Sequence, residues 1–156
     1  HIQKYKDLND DVNRIVEEVN WKYSTDTWKP VILVRRHLNL KEVLAFYKFS
    51  EICVVSSLHD GMNLVVKEFV ASRFDESGSV VLSQFTGAAR ELTEAILVNP
   101  YDRDQVADGI YSALTMPQEE KTKRMRKMRS IVSEQNVFRW AAKIISELLK
   151  MEFQEK

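Results

Sequence analysis

The chain has 156 residues, of which 44% are hydrophobic and 29% charged, and its 23 Lys+Arg are matched by 23 Asp+Glu. That length suits one domain and that mix a soluble globular one, which excludes a disordered tail or a fibrous chain. A net charge of zero excludes a domain built mainly to coat nucleic acid or an anionic membrane.

Along the chain, Ile2, Tyr5, Leu8, Val12, Ile15, Val16 and Val19 recur at three- and four-residue steps, which predicts a helix over 2–23. Ser24-Thr25-Asp26 ends it, and Lys29-Pro30 forces an extended entry to the next segment. Val31–Val34 is a short apolar run, read as a strand covered on both faces. A helix over Leu40–Phe49 leads to a strand at Ile52–Val55. A helix over Asn63–Arg73 leads to a strand at Val80–Leu82. A short helical turn over Ala88–Leu92 leads to a strand at Ile96–Val98. This alternation predicts an α/β fold with a largely parallel sheet flanked by helices. After Asn99-Pro100 the strands stop. Asp102 or Asp104 caps a helix to about Met116, Pro117 opens another to about Gln135, and a last covers about Val137–Phe153. The expected division is α/β structure over 1–117 with C-terminal helices of the same domain over 118–156.

One cysteine, Cys53, excludes a disulfide framework and a Cys-rich zinc site. The histidines, His1, His37 and His59, lack metal-site spacing, so no metal site is expected. No apolar run reaches the roughly 20 residues of a membrane helix, and no signal peptide opens the chain. A cytoplasmic location is expected. The chain begins at His1 rather than Met and is read as a piece of a longer protein.

In an open parallel sheet, ligands bind beyond the carboxyl ends of the strands. The loop after the second predicted strand, Ser56 to Asn63, carries the most chemistry. Gly61 can take a positive φ and let a ligand reach the backbone. The helix after it offers unpaired N–H groups and the positive end of its dipole, which suits a phosphate without a lysine or a metal. Asp60 can accept bonds from sugar hydroxyls. Glu68, eight residues on, can chelate a vicinal diol such as a ribose. An Asp-Gly pair is equally an ordinary turn, and Glu68 an ordinary exposed helical residue.

Three segments add a resemblance. Asp60-Gly61-Met62-Asn63-Leu64-Val65-Val66-Lys67-Glu68-Phe69 resembles the donor-binding segment of the trehalose-6-phosphate synthase family. Val81 to Ala89 and Leu97 to Asp102 resemble the next two segments there. The resemblance implies the C-terminal, donor-binding domain of a GT-B glycosyltransferase, with residues 1–117 a partial Rossmann-like domain that binds a nucleotide sugar. The family moves glucose from UDP-glucose to glucose 6-phosphate with retention and no metal. It implies that Asp60 bonds the glucose hydroxyls and that the backbones of Gly61, Met62 and Asn63 surround the sugar. Leu64 and Val65 then offer amides to the diphosphate, with Val66 and Lys67 in the same segment. Glu68 holds the ribose, and Leu38 lies near the uracil. His59 stands where many relatives have Arg, which reduces charge near the phosphates at neutral pH. The glucose 6-phosphate domain and the diphosphate-clamping Arg and Lys are not among these residues, so this stretch alone is expected to be inactive. A noncatalytic regulatory homologue that binds sugar nucleotide or a partner protein is the alternative.

The resemblance further implies a sheet in order 3-2-1-4-5-6, of which strands three to six are here. Strand three would then stand apart from strand four. The gap is expected to close by direct pairing of Val31–Val34 with Ile52–Val55, or by a homodimer through the open edge. The basic run from Lys121 to Arg129 holds an apolar stripe of Met125, Met128 and Val132, and reads as the solvated face of an amphipathic helix rather than an RNA contact.

Overall fold

The structure is a computed structural model that describes residues 2–135 and 137–150. The chain forms two compact units, His1–Leu38 and Asn39–Lys156.

In the first unit, helix α1 (Ile2–Tyr23) carries exposed side-chain pairs, Arg14 to Glu18 at 3.0 Å and to Asp11 at 3.3 Å. Pairs of this kind contribute only tenths of a kcal/mol. The chain then turns back through a bond from Thr25 N–H to the Trp28 carbonyl at 2.9 Å. Asn20 brackets Val31: its Nδ2 donates to the Val31 carbonyl at 2.9 Å, and its Oδ1 accepts the Val31 N–H at 3.0 Å. The expected strand at Val31–Val34 does not form, nor does its pairing with Ile52–Val55. A strand needs a neighbour to take its N–H and C=O groups along its length. Asn20 supplies that at Val31 only, and Ile32 is left 80% exposed.

The second unit keeps the predicted alternation. Helix α2 (Leu40–Phe49) starts in a capping box: the Glu42 amide donates to Asn39 Oδ1 at 3.1 Å, and the Asn39 amide donates to Glu42 Oε2 at 2.9 Å. Strand β1 (Ile52–Val55), helix α3 (Leu64–Ser72), strand β2 (Ser79–Ser83), a 3₁₀ turn (Gly87–Arg90) and strand β3 (Ile96–Val98) come next. Helices α4 (Arg103–Thr115), α5 (Gln118–Glu134) and α6 (Val137–Lys150) complete it. Residues 151–153 of the last predicted helix lie outside the described residues. Asp102, not Asp104, caps α4, accepting from the amides of Asp104 and Gln105 at 3.1 and 3.0 Å.

The three strands are parallel in the order β1-β2-β3, with Val55 opposite Leu82 and Ser83 opposite Val98. β2 is the middle strand and is buried at every residue. Strand alternation sends its side chains to two layers. Val80 and Leu82 join Val66, Phe69, Leu92, Met125 and Met128 under α3 and α5. Val81 joins Val98 and Ala113 under α4. Each of these Val, Leu, Phe and Met side chains contributes about 1.5–3 kcal/mol by leaving water. Met125 and Met128 thus hold α5 to the sheet, as its apolar stripe predicts. Its basic residues are spent on local partners: Arg126 on Glu76, Lys127 on Glu94, and Arg129 on the carbonyls of Val70 and Ala71.

Candidate functional site

The carboxyl ends of β1 and β2 release two loops that lean on each other. Asp60 and Thr86 form an isolated parallel bridge. The Gly87 amide donates to the Asp60 carbonyl at 2.9 Å, and the Ala88 amide donates to the Met62 carbonyl at 2.8 Å. This contact requires Gly87: a Cβ there would overlap the Gly61 carbonyl oxygen and lie 2.8 Å from its carbon. Gly61 is different, because a Cβ on it would meet nothing within 4 Å. It faces an open cleft of about 330 Å³ lined by His59, Asp60, Gln84, Phe85, Thr86 and Arg90 among others.

Asp60 organises the loop. Its Oδ1 accepts the amides of Met62 and Asn63 at 3.0 and 2.9 Å, and its Oδ2 accepts Asn63 Nδ2 at 3.0 Å. These bonds favour the ionised form, with the Met62 amide and the Asn63 side chain leading, so the carboxyl is held below its usual range. Three of roughly four acceptor positions are thereby used. The turn reading of Asp60 and the ligand reading therefore coexist in one side chain.

The positive φ expected at Gly61 is found instead at Asn63, with φ 71°. The Asp60 carboxylate wraps the loop so that the chain reverses at residue 63. Asparagine tolerates that region better than most residues, and Asn63 Oδ1 goes on to cap α3 by accepting the Val66 amide at 3.0 Å. Among the described residues, the amides of Leu64 and Val65 make no hydrogen bond. They are the open donors at the positive end of α3.

The remaining expected residues are placed less uniformly. Val66 is fully buried in the core, so its side chain faces away from solvent. Lys67 is turned to Glu91, with Nζ donating to Oε2 at 2.6 Å. Glu68 is exposed on α3, outside the residues lining the cleft, and its Oε2 accepts the Tyr47 hydroxyl at 3.0 Å. Leu38 is half-buried at the end of the first unit. Thr86, Arg90 and Tyr47 went unread in the sequence. Thr86 sits inside a matching segment and could have been found there. Tyr47 left no local signal, because its partner is 21 residues away. Among the described residues, no three His, Cys, Asp or Glu gather in a metal-holding group, and no helix is long and apolar enough to cross a membrane.

The sequence profile of Glycosyltransferase family 20 matches residues 1–150. The trehalose-6-phosphate synthase of Salmonella paratyphi B is 39% identical over 148 residues, 94% of this chain and 31% of the relative. That of Klebsiella pneumoniae is 37% identical over the same length. An E. coli structure bound with UDP-2-fluoro glucose superposes with a TM-score of 0.89 at 37% identity, covering 96% of this chain and 33% of its own. The UDP-forming trehalose-phosphate synthase of Burkholderia xenovorans, in complex with glucose 6-phosphate, gives 0.88 at 33% identity, covering 94% and 32%. The chain thus spans about a third of these relatives, in a stretch of α/β structure matching part of a GT-B enzyme. A profile match across nearly every residue makes this chain a member of glycosyltransferase family 20.

Proposed function

We propose that these residues are the donor-binding part of a retaining glucosyltransferase that makes trehalose 6-phosphate from UDP-glucose and glucose 6-phosphate. The observation that carries the reading is the start of α3. In sequence, two open amides, Leu64 and Val65, lie between Asp60 and Glu68. Glu68 lies four positions after Leu64, about 6 Å along a helix. The link from a diphosphate to the diol of its ribose covers such a span.

In this reading the amides hold the diphosphate and stabilise it as it leaves with growing negative charge. They are fixed by folding and need no reorganisation when the sugar bond breaks. Asp60 orients the hexose with the acceptor capacity its loop bonds leave. A phosphate oxygen of the leaving group takes the proton of the attacking hydroxyl on the same face, which preserves the anomeric configuration. The acceptor, and the Arg and Lys that clamp the donor diphosphate, belong to residues outside this stretch, and so the 156 residues alone bind UDP-glucose weakly and give no turnover.

Calorimetry with UDP-glucose tests the reading on the full protein that contains this chain. The Asp60→Ala/Glu68→Ala variant is expected to bind at least about tenfold more weakly, as loss of charge-assisted bonds requires. Equal affinity in the two proteins would overturn the assignment. Saturable binding with no turnover by the full protein would move it to the regulatory homologue.

A further inference from the structure

We propose that Tyr47 is a positioning residue for Glu68, and that the pair recognises the ribose of a nucleoside diphosphate. The inference rests on the reading of Glu68 as the ribose acid. The hydroxyl reaches Glu68 Oε2 at 3.0 Å from a different helix, α2. Its ring is held in place. It meets the buried Phe69 edge-on, with centroids 6.1 Å apart and planes at 85°. The Tyr47 carbonyl accepts Arg73 Nη1 at 2.8 Å, and Arg73 Nε donates to the Ser77 carbonyl at 3.0 Å. Arg73 is itself buried, so the end of α2 is tied to the loop after α3.

This arrangement does two things to Glu68. An exposed glutamate loses rotamer freedom when a ligand fixes it, and here part of that loss is taken on folding. The phenol also takes only one acceptor position of Oε2, which leaves Oε1 open to a diol. Burial, with help from Glu68, pushes the Tyr47 hydroxyl up to about 12, so it stays a donor throughout the neutral range. Packing of the phenol ring on Phe69 does not by itself explain why a solvent-facing acid should be restrained from a second helix.

The test is calorimetry with UDP and with 2′-deoxy-UDP on the full protein that contains this chain, comparing wild type, Tyr47→Phe and Glu68→Ala. Tyr47→Phe is expected to weaken UDP about five- to tenfold, within the net worth of one typical hydrogen bond. It should leave 2′-deoxy-UDP within about twofold, so that the preference for ribose shrinks. A packing defect would instead weaken both nucleotides alike, and that result would overturn the proposal. Weaker UDP binding in Glu68→Ala but not in Tyr47→Phe overturns the role of Tyr47 alone. Unchanged UDP binding in both variants overturns the ribose reading of Glu68 as well.

Discussion

Replacing Gly87 with alanine should separate the brace of the donor loop from its ligand-facing side. The new Cβ would lie 2.8 Å from the Gly61 carbonyl carbon and 3.2 Å from the Met62 Cα. Ordinary carbon contacts start near 3.5 Å, and the Gly61 carbonyl oxygen would be closer still, so the two loops must part by more than about 0.7 Å. Backbone, unlike a long side chain, has no free rotamer to yield. Two bonds cross the seam, Gly87 to Asp60 at 2.9 Å and Ala88 to Met62 at 2.8 Å. At about 1 kcal/mol each, their loss amounts to about 2 kcal/mol, or roughly 30-fold in the balance between closed and open loop. A displacement of that size also spoils ligand geometry. Gly61→Ala is the matched control. Its Cβ meets nothing and its φ is not positive, so stability should hold within about 0.5 kcal/mol. The methyl would nevertheless project toward the cleft and weaken UDP-glucose binding. Urea unfolding and UDP-glucose calorimetry on both variants give the comparison. Wild-type stability and affinity in Gly87→Ala would mean that the seam does not brace the loop.

The depressed Asp60 carboxyl makes a pH prediction. A group lowered by folding contributes stability that is present above its unfolded value, near 3.9, and is lost as pH falls through its folded value. The loop should hold at neutral pH and loosen only in acid, with a carboxyl NMR midpoint below 3.9; a midpoint at or above that value contradicts the bonding described. Arg73→Met should cost about 2–4 kcal/mol in urea unfolding, because it strands the carbonyls of Tyr47, Lys48 and Ser77. A loss below about 0.5 kcal/mol would mean those carbonyls find other partners. Burial pushes the Cys53 thiol up to about 11. Its alkylation by iodoacetamide at neutral pH should therefore run on the order of 100-fold slower in the native than in the unfolded chain, and equal rates would show the strand to be open.

Much of this architecture is visible in periodicity alone. α2, β1, α3, β2 and β3 fall within a residue or two of the apolar runs that predict them. The donor loop is equally legible, because Asp60, Asn63 and Glu68 are close in sequence. What escapes is whatever depends on distant partners. Val31–Val34 has the composition of a strand, but hydrogen bonding to a neighbour decides the matter, and composition does not record neighbours. The reversal at Asn63 rather than Gly61 comes from three bonds to one carboxylate, which glycine's freedom alone does not reveal. Tyr47 joins the site only because α2 packs beside α3.

Position 63 has little room for drift. Glycine there would keep the left-handed turn and forfeit both side-chain bonds. Aspartate would keep an acceptor for the Val66 amide but set a second negative charge against Asp60 in place of a donor. A larger or branched side chain would resist the backbone angle itself. Altering this one asparagine therefore disturbs the preceding loop and the helix opening together.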